Sequence, residues 1–343
     1  MKRLLEFFSQ SYSEFRIIVL DSSSHDLNDK ELIQLLDQAN VQHKQYSSEI
    51  FIGEKIYDGA GSVETPYSVL CADDDFLIPS SLIKCCDFLD RKQDYISAHG
   101  VYFFHNILND IDKTISWHVL YPTSRSNEKV SPLARLKYFY PNNYSSYPMY
   151  AVHRTKNLKD IWRKTTEYTS DWGWVETLSS CLSIIQGKSK KLFIPYASRQ
   201  ANISTSFSDT RTMQMYTEEK NQNAIEAITL ELEKILPDGK DDYHKIAVAL
   251  HQQYLLKYKS PVVLYKNKLT FYIKHPKVIL ERLSGILIKL LIISTRQVEL
   301  LEVIHKTLLS NYLSNDLITA SRASYEDGFG TNDDQHKNKY RKN

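Results

Sequence analysis

The stretch "VLCADDDFLIP", Val69–Pro79, sets three consecutive carboxylates at the end of an apolar run. Adjacent anions repel one another and resist leaving water. Such a cluster persists where a cation compensates it or where it lies in a solvent-exposed turn. The run that leads into it, "YSVLCA" from Tyr67, reads as a buried strand. Pro79 then opens a helix, "SSLIKCCDFLDRKQ". A buried strand ending in acid and followed by a helix is the pattern of an α/β layer, and the flanking sequence extends it in both directions.

On the N-terminal side, residues 1–10 read as a helix with Leu4, Leu5 and Phe8 on one side. "RIIVL", Arg16–Leu20, is a short buried strand that ends in the turn residues "DSSS". Residues 26–40 form an amphipathic helix with Leu32, Leu35 and Leu36 at helical spacing, "VQHKQYS" an edge strand, and "SEIFIGEKIYDGAGSV" a helix broken by Gly59 and Gly61. Alternating strands and helices predict a mainly parallel sheet, in which ligands bind beyond the carboxyl ends of the strands. Asp21 and the Asp73–Asp75 triplet both sit at such ends, so two strands are expected to deliver carboxylates to one edge.

On the C-terminal side, "YISAHGVYFFHN" and "TISWHVLY" read as an antiparallel pair, and "SSYPMYAVHR" as a further strand. "TKNLKDIWRKT" reads as a helix, "SDWGWVETLSSCLSIIQG" as a helix capped by Ser170 and Asp171 and stopped by Gly187, and "KKLFIPYASRQ" as a strand. From Asp209 the pattern is helical to about Asn315, and the polar tail beyond it reads as disordered. The organisation expected is a domain over 1–205, a helical region over 206–315 and a tail over 316–343.

The 343-residue chain has a formal net charge of +2, which predicts no nucleic-acid partner. Cys71, Cys85, Cys86 and Cys181 form no C-x-x-C pair and fit reduced, mostly buried thiols of a cytoplasmic protein. The N-terminus reaches polar residues too soon for a signal peptide. The most apolar segment, Gly285–Ile293, is far short of the roughly 20 residues a spanning helix needs.

The triplet itself matches no EF-hand loop, which needs recurring oxygen ligands, a Gly and a Glu at set positions. No G-x-x-x-x-G-K-[ST] phosphate loop occurs in the chain. What remains beside a solvated turn is a hard divalent cation, Mn2+ or Mg2+, held by one or two carboxylates and by substrate phosphates. Asp73 and Asp75 suit that role, because side chains two apart on an extended segment point the same way.

The chain resembles the GT-A glycosyltransferases, particularly the family 2-like bacterial enzymes. The resemblance rests on "RIIVLDSSS", on "TPYSVLCADDDFLIPSSL" and, more loosely, on "SDWGWVETL" and "SRQANISTS", over residues 1–205. It implies a GT-A (Rossmann-like) mixed sheet with flanking helices, followed by a C-terminal helical region. It implies metal-dependent transfer of a sugar from a nucleotide-sugar donor to a hydroxyl of a glycan or lipid-linked acceptor, with inversion. Under that resemblance Asp21 lies near the nucleoside base, and Asp73 and Asp74 meet ribose and diphosphate. Asp73 and Asp75 hold the metal, with Asp75 the main ligand. Asp171 is the general base and Glu176 the runner-up, although helix capping explains Asp171 equally. Arg199 contacts the diphosphate or forms a salt bridge.

The chain departs from the family in two places. Asn202 stands where members often carry a histidine. The family's first strand is also missing, since the sequence starts at the helix after it. Strands 16–20 and 67–71 are therefore expected to flank an empty slot or to close on each other: either the start codon is set too late, or the chain is a fragment, or another segment fills the gap. A non-catalytic nucleotide-sugar-binding or scaffold protein is the alternative reading. A nucleotidyltransferase ranks last, because its glycine-rich basic loop is absent. Trp117, Trp162, Trp172 and Trp174 suit a sugar-binding cleft or ordinary core packing.

Residues 257–280 carry six lysines and no acid, interleaved with apolar and aromatic side chains. Such a segment fits peripheral contact with an anionic membrane surface on its inner face, or a helical region packed on the preceding domain with its lysines solvated.

Overall fold

The computed structural model describes residues 1–11, 15–24, 27–73, 75–107, 115–120, 124–140, 147–200, 218–236 and 242–259. Helix α1 (Lys2–Ser11) precedes β1 (Ile17–Asp21), whose apolar residues pair in parallel with β2 (Val41–Gln45) to form a first, two-stranded sheet. The crossover between them is α2 (Lys30–Leu36). This helix is shorter than the span expected over 26–40. Asp29 caps its start, accepting from the amides of Glu31 at 3.0 Å and Leu32 at 3.2 Å. The helix has to stop at Leu36 to leave a turn before β2. Asp29→Ala is expected to cost about 1 kcal/mol, read as a shift in the chemical-denaturation midpoint. Helix α3 (Ile52–Gly61) returns over β1. There Gly59 lies so close to the Leu20 side chain that an added Cβ would sit 2.6 Å from its methyl carbons.

The second sheet contains β3 (Tyr67–Ser68), β4 (Asp75–Leu77), β5 (Tyr95–Ile107), β6 (Ile115–Leu120), β7 (Val152–Arg154) and β8 (Lys188–Gln200). Its order is β3-β7-β5-β8-β4, with β6 also pairing β5. The mainly parallel sheet expected from strand–helix alternation is corrected to the mixed sheet that the resemblance implies: among the described residues only its β5–β8 pair is parallel, and its other pairs are antiparallel. The β5–β6 pair is antiparallel, as its sequence predicts.

The buried strand expected over 67–72 is also corrected. Pairing covers only Tyr67 and Ser68, opposite Arg154 and His153. A strand extends only as far as its neighbour offers backbone groups, and β7 is three residues long where a longer strand was expected from "SSYPMYAVHR". Among the described residues β1 and β3 do not pair with each other; they belong to different sheets.

Helices α4 (Pro79–Arg91), α5 (Pro132–Phe139), α6 (Thr155–Tyr168) and α7 (Trp172–Gln186) flank the sheet. The main core joins Leu82, Cys85 and Leu89 of α4, Leu136 and Phe139 of α5, and Trp174, Leu178 and Leu182 of α7. Helices α8 (Glu218–Ile235) and α9 (Tyr243–Lys259) add Ala224, Ile228, Leu232, Ala247 and Leu250 to that same core. The boundary drawn at residue 205 therefore separates two stretches with one shared interior. Buried Lys164 of α6 forms ion pairs with Glu231 of α8 and with Asp160. The four cysteines are free; Cys85 and Cys181 are buried and Cys71 is exposed. The remaining helical stretch, the tail and all but the first three residues of the basic segment over 257–280 lie outside the described residues. No helix among the described residues is long and apolar enough to cross a membrane.

Candidate functional site

Asp21 ends β1, where the two parallel strands of the first sheet both present their carboxyl ends. Its Oδ1 accepts from the Ser23 amide at 2.9 Å, and its Oδ2 lies 3.2 Å from His43 Nε2 on β2. Burial alone would raise the Asp21 carboxyl, but the hydrogen bonds from Ser23 and His43 outweigh it and hold it below the ordinary carboxylate range. Lys55, one turn into α3, donates to Ser22 Oγ at 2.7 Å. Lys44 and the Tyr46 hydroxyl both donate to Asp58, each at 2.6 Å. The carboxyl ends of β1 and β2 thus carry a polar cluster of both signs. His43, Lys55 and Tyr46 were not singled out from the sequence. The parallel register of β2 beside β1 was the signal available for His43 and Tyr46.

The triplet divides. Asp73 is exposed in a turn, and Asp74 lies outside the described residues. Asp75 is buried and begins β4, so it does not stand at a strand's carboxyl end; the helix expected from Pro79 follows β4. The antiparallel register sets Asp75 opposite Arg199 of β8, and Arg199 Nε lies 2.8 Å from Asp75 Oδ2. The guanidinium also stacks over the Tyr150 ring, 4.5 Å from its centroid. Arg199 therefore makes the salt bridge that was one of its two expected roles, with a buried carboxylate rather than at the open surface.

Asp171 caps α7, as expected from its sequence: its Oδ1 accepts from the Trp174 amide at 3.3 Å, and it is 2 % exposed. Glu176 lies one turn further along α7 and is half-buried. Trp162 and Trp174 are core residues at 1 % and 0 % exposure, which is the packing role rather than a cleft. The side chains of Trp117 and Trp172, and Asn202, lie outside the described residues.

These parts converge on one apolar cluster. Ile56 of α3, Met149, Leu158 and Trp162 of α6, and Val175 of α7 form it, with Ile52, Leu70 and Tyr150 packed against them. Helix α3 carries Lys55 toward Ser22. Leu70 leads into the acidic turn. Tyr150 holds Arg199 and so Asp75, and Val175 lies one turn beyond Asp171. The cluster is the common anchor of the candidate residues. Among the described residues no group of three or more His, Cys, Asp or Glu side chains is arranged to hold a metal ion.

No family model matches the chain, and no curated protein matches it. Among solved structures it is similar to S. aureus TarS 1-349, at 12% identity, covering 72% of this chain and 80% of that one, with a TM-score of 0.38.

Proposed function

We propose that the chain is a metal-dependent glycosyltransferase that moves a sugar from a nucleotide-sugar donor to an acceptor hydroxyl, with inversion. The observation that carries this reading is the buried Asp75–Arg199 pair beside the exposed Asp73. Anionic and cationic groups stand side by side there, as a divalent cation and a diphosphate together require. The polar cluster around Asp21 and the resemblance of "TPYSVLCADDDFLIP" support it.

Asp73 and Asp75 would hold Mn2+ or Mg2+, which when bound supplies Lewis-acid neutralisation of the departing diphosphate. A cation at Asp75 and the Arg199 guanidinium compete for one carboxylate, so Arg199 is the group that turns to the phosphates. Asp21, with His43, meets the nucleoside, and Asp74 the ribose and diphosphate. Asp171 takes the acceptor's proton, with Glu176 as runner-up, and the acceptor is a glycan or a lipid-linked glycan. On this reading the chain works in the cytoplasm, with its basic segment against the inner face of the membrane.

Calorimetric titration with Mn2+ and a panel of nucleoside diphosphates tests it. Asp75→Asn keeps the shape and removes the charge. It is expected to weaken metal-dependent nucleotide binding at least about tenfold, given that charged hydrogen-bonding groups contribute roughly 1.5–3 kcal/mol, while near-ultraviolet circular dichroism stays unchanged. Equal metal-dependent binding by both proteins would sink the assignment. A non-catalytic nucleotide-sugar-binding protein is the second reading, favoured by one observation: Asp171 is almost fully buried and committed to its helix cap. Binding of nucleotide-sugars without hydrolysis or transfer would select it.

A further inference from the structure

Four lateral neighbours in the second sheet carry buried polar atoms without a hydrogen-bond partner among the described residues: His153 Nδ1, Ser97 Oγ, Ser189 Oγ and Asn127 Oδ1. Their adjacency follows from the register. His153 pairs with Ser97 across β7–β5, Ser97 with Ser189 across β5–β8, and Ser189 with Asn127 in a bridge on the far edge of β8. Residues opposite one another in a sheet project to the same face, about 4.8 Å apart. The four therefore form one row across a single face, and none is more than 2 % exposed. His99, two residues beyond Ser97 on a regular stretch of β5, adds a fifth such atom, Nε2, on that face.

The donors and acceptors of this row are set by its other bonds. His153 Nε2 lies 2.7 Å from the Pro148 carbonyl and so carries the proton, leaving Nδ1 as a lone pair. His99 Nδ1 lies 2.8 Å from the Gly100 carbonyl, leaving Nε2 as a lone pair. Asn127 Nδ2 donates to the Arg135 carbonyl at 3.0 Å, which leaves Oδ1 as an acceptor. The row thus offers acceptors that lack donors, together with two hydroxyls able to do both. An anion would meet lone pairs and is excluded. A cation would meet the ammonium of Lys191, which pairs with His99 in register. A neutral guest that donates more than it accepts is what remains.

We propose that this row is a built hydration site, in which a file of ordered water molecules runs from His153 past Ser97 and Ser189 to Asn127, with a branch to His99. Waters of the file donate to the ring nitrogens and the amide oxygen, and the two serine hydroxyls each donate their one hydrogen to a water. Buried waters of this kind make about three hydrogen bonds to otherwise unpaired groups. The row lies on β7, β5 and β8, away from the acidic turn, and holds whether or not the chain transfers sugars.

Oxygen-17 magnetic relaxation dispersion on the full chain counts waters held longer than nanoseconds. Ser97→Ala and Ser189→Ala each remove one oxygen from the interior. Each is expected to lose at least one long-lived water relative to wild type and to lower Tm by about 2–4 °C. A dry row predicts the opposite, since deleting an unpaired buried hydroxyl leaves the water count unchanged and Tm level or higher. That result would overturn the proposal. Water-to-amide cross-relaxation at Ser97 and Ser189 in the wild type tests it without any substitution; its absence would also overturn it.

Discussion

Acidification from pH 7 to pH 4.5 is expected to unfold this protein, and three buried histidines are the reason. Burial lowers His99 to about 3 and His153 and His251 to about 4, from an ordinary value of 6.5. Each folded-state value lies below the unfolded one, so the unfolded chain takes up the proton first. Stability therefore falls as pH drops below 6.5, and it goes on falling until the folded-state values are reached. Each pH unit costs about 1.4 kcal/mol per histidine, which makes about 2.7 kcal/mol each and about 8 kcal/mol together at pH 4.5. A typical domain has only about 5–15 kcal/mol in total.

Carboxylates held below their usual range, such as Asp21 and Asp160, act in the same direction but at lower pH. Urea unfolding across this pH range should show close to three protons taken up per molecule near pH 5. His153→Gln, which retains a donor toward the Pro148 carbonyl, should cut that slope by about a third. Unchanged stability between pH 7 and pH 5 would show that the histidines are not sealed from solvent.

Replacing Lys164 with methionine is expected to destabilise the fold by about 3–5 kcal/mol, the usual penalty for leaving one member of a buried pair uncompensated. The stranded group is Glu231, whose side chain is 8% exposed and held by the Lys164 ammonium. The pair joins α6 to α8, so the loss should appear as earlier proteolysis within α8 as well as a lower unfolding midpoint. The double variant Lys164→Met/Glu231→Leu removes both charges and should recover most of the loss, because apolar residues of similar volume replace buried pairs at little cost. A single variant as stable as wild type would show that Glu231 reaches water.

Local signals in the sequence mapped onto the structure closely. The cap at Asp171, the helix start at Pro79, the helical periodicity over residues 155–165 and the strand pattern over 95–106 each depend on neighbours within a few residues. Strand direction does not. Asp75 pairs with Arg199 and Tyr67 with Arg154, across separations that no local pattern encodes. The apolar run over 67–72 resembled a full strand because its composition suits one, yet its length was set by β7, a distant three-residue partner. The candidate site shows the same limit. Asp21 and Asp75 stood out as acids at the ends of apolar runs. His43, Lys55 and Tyr150 became visible only once β2, α3 and the segment before β7 were packed beside them.

The parallel pairing of β5 with β8 has a consequence for how the chain is made. Tyr95 finds its partner at Lys188, and Phe104 its partner at Arg199. During synthesis at about 5–20 residues per second, β5 is exposed for roughly 5–20 s before the strand that completes its far edge exists. Strand β6 arrives early and covers part of one edge, but the other presents unpaired backbone along a run that includes Val101, Tyr102 and Phe103. Open apolar edges template pairing with other chains. The central strand of the finished sheet is thus open to aggregation on the ribosome. A variant translated slowly between residues 108 and 188 should yield less soluble protein than one slowed after residue 200, although the two folded products are identical.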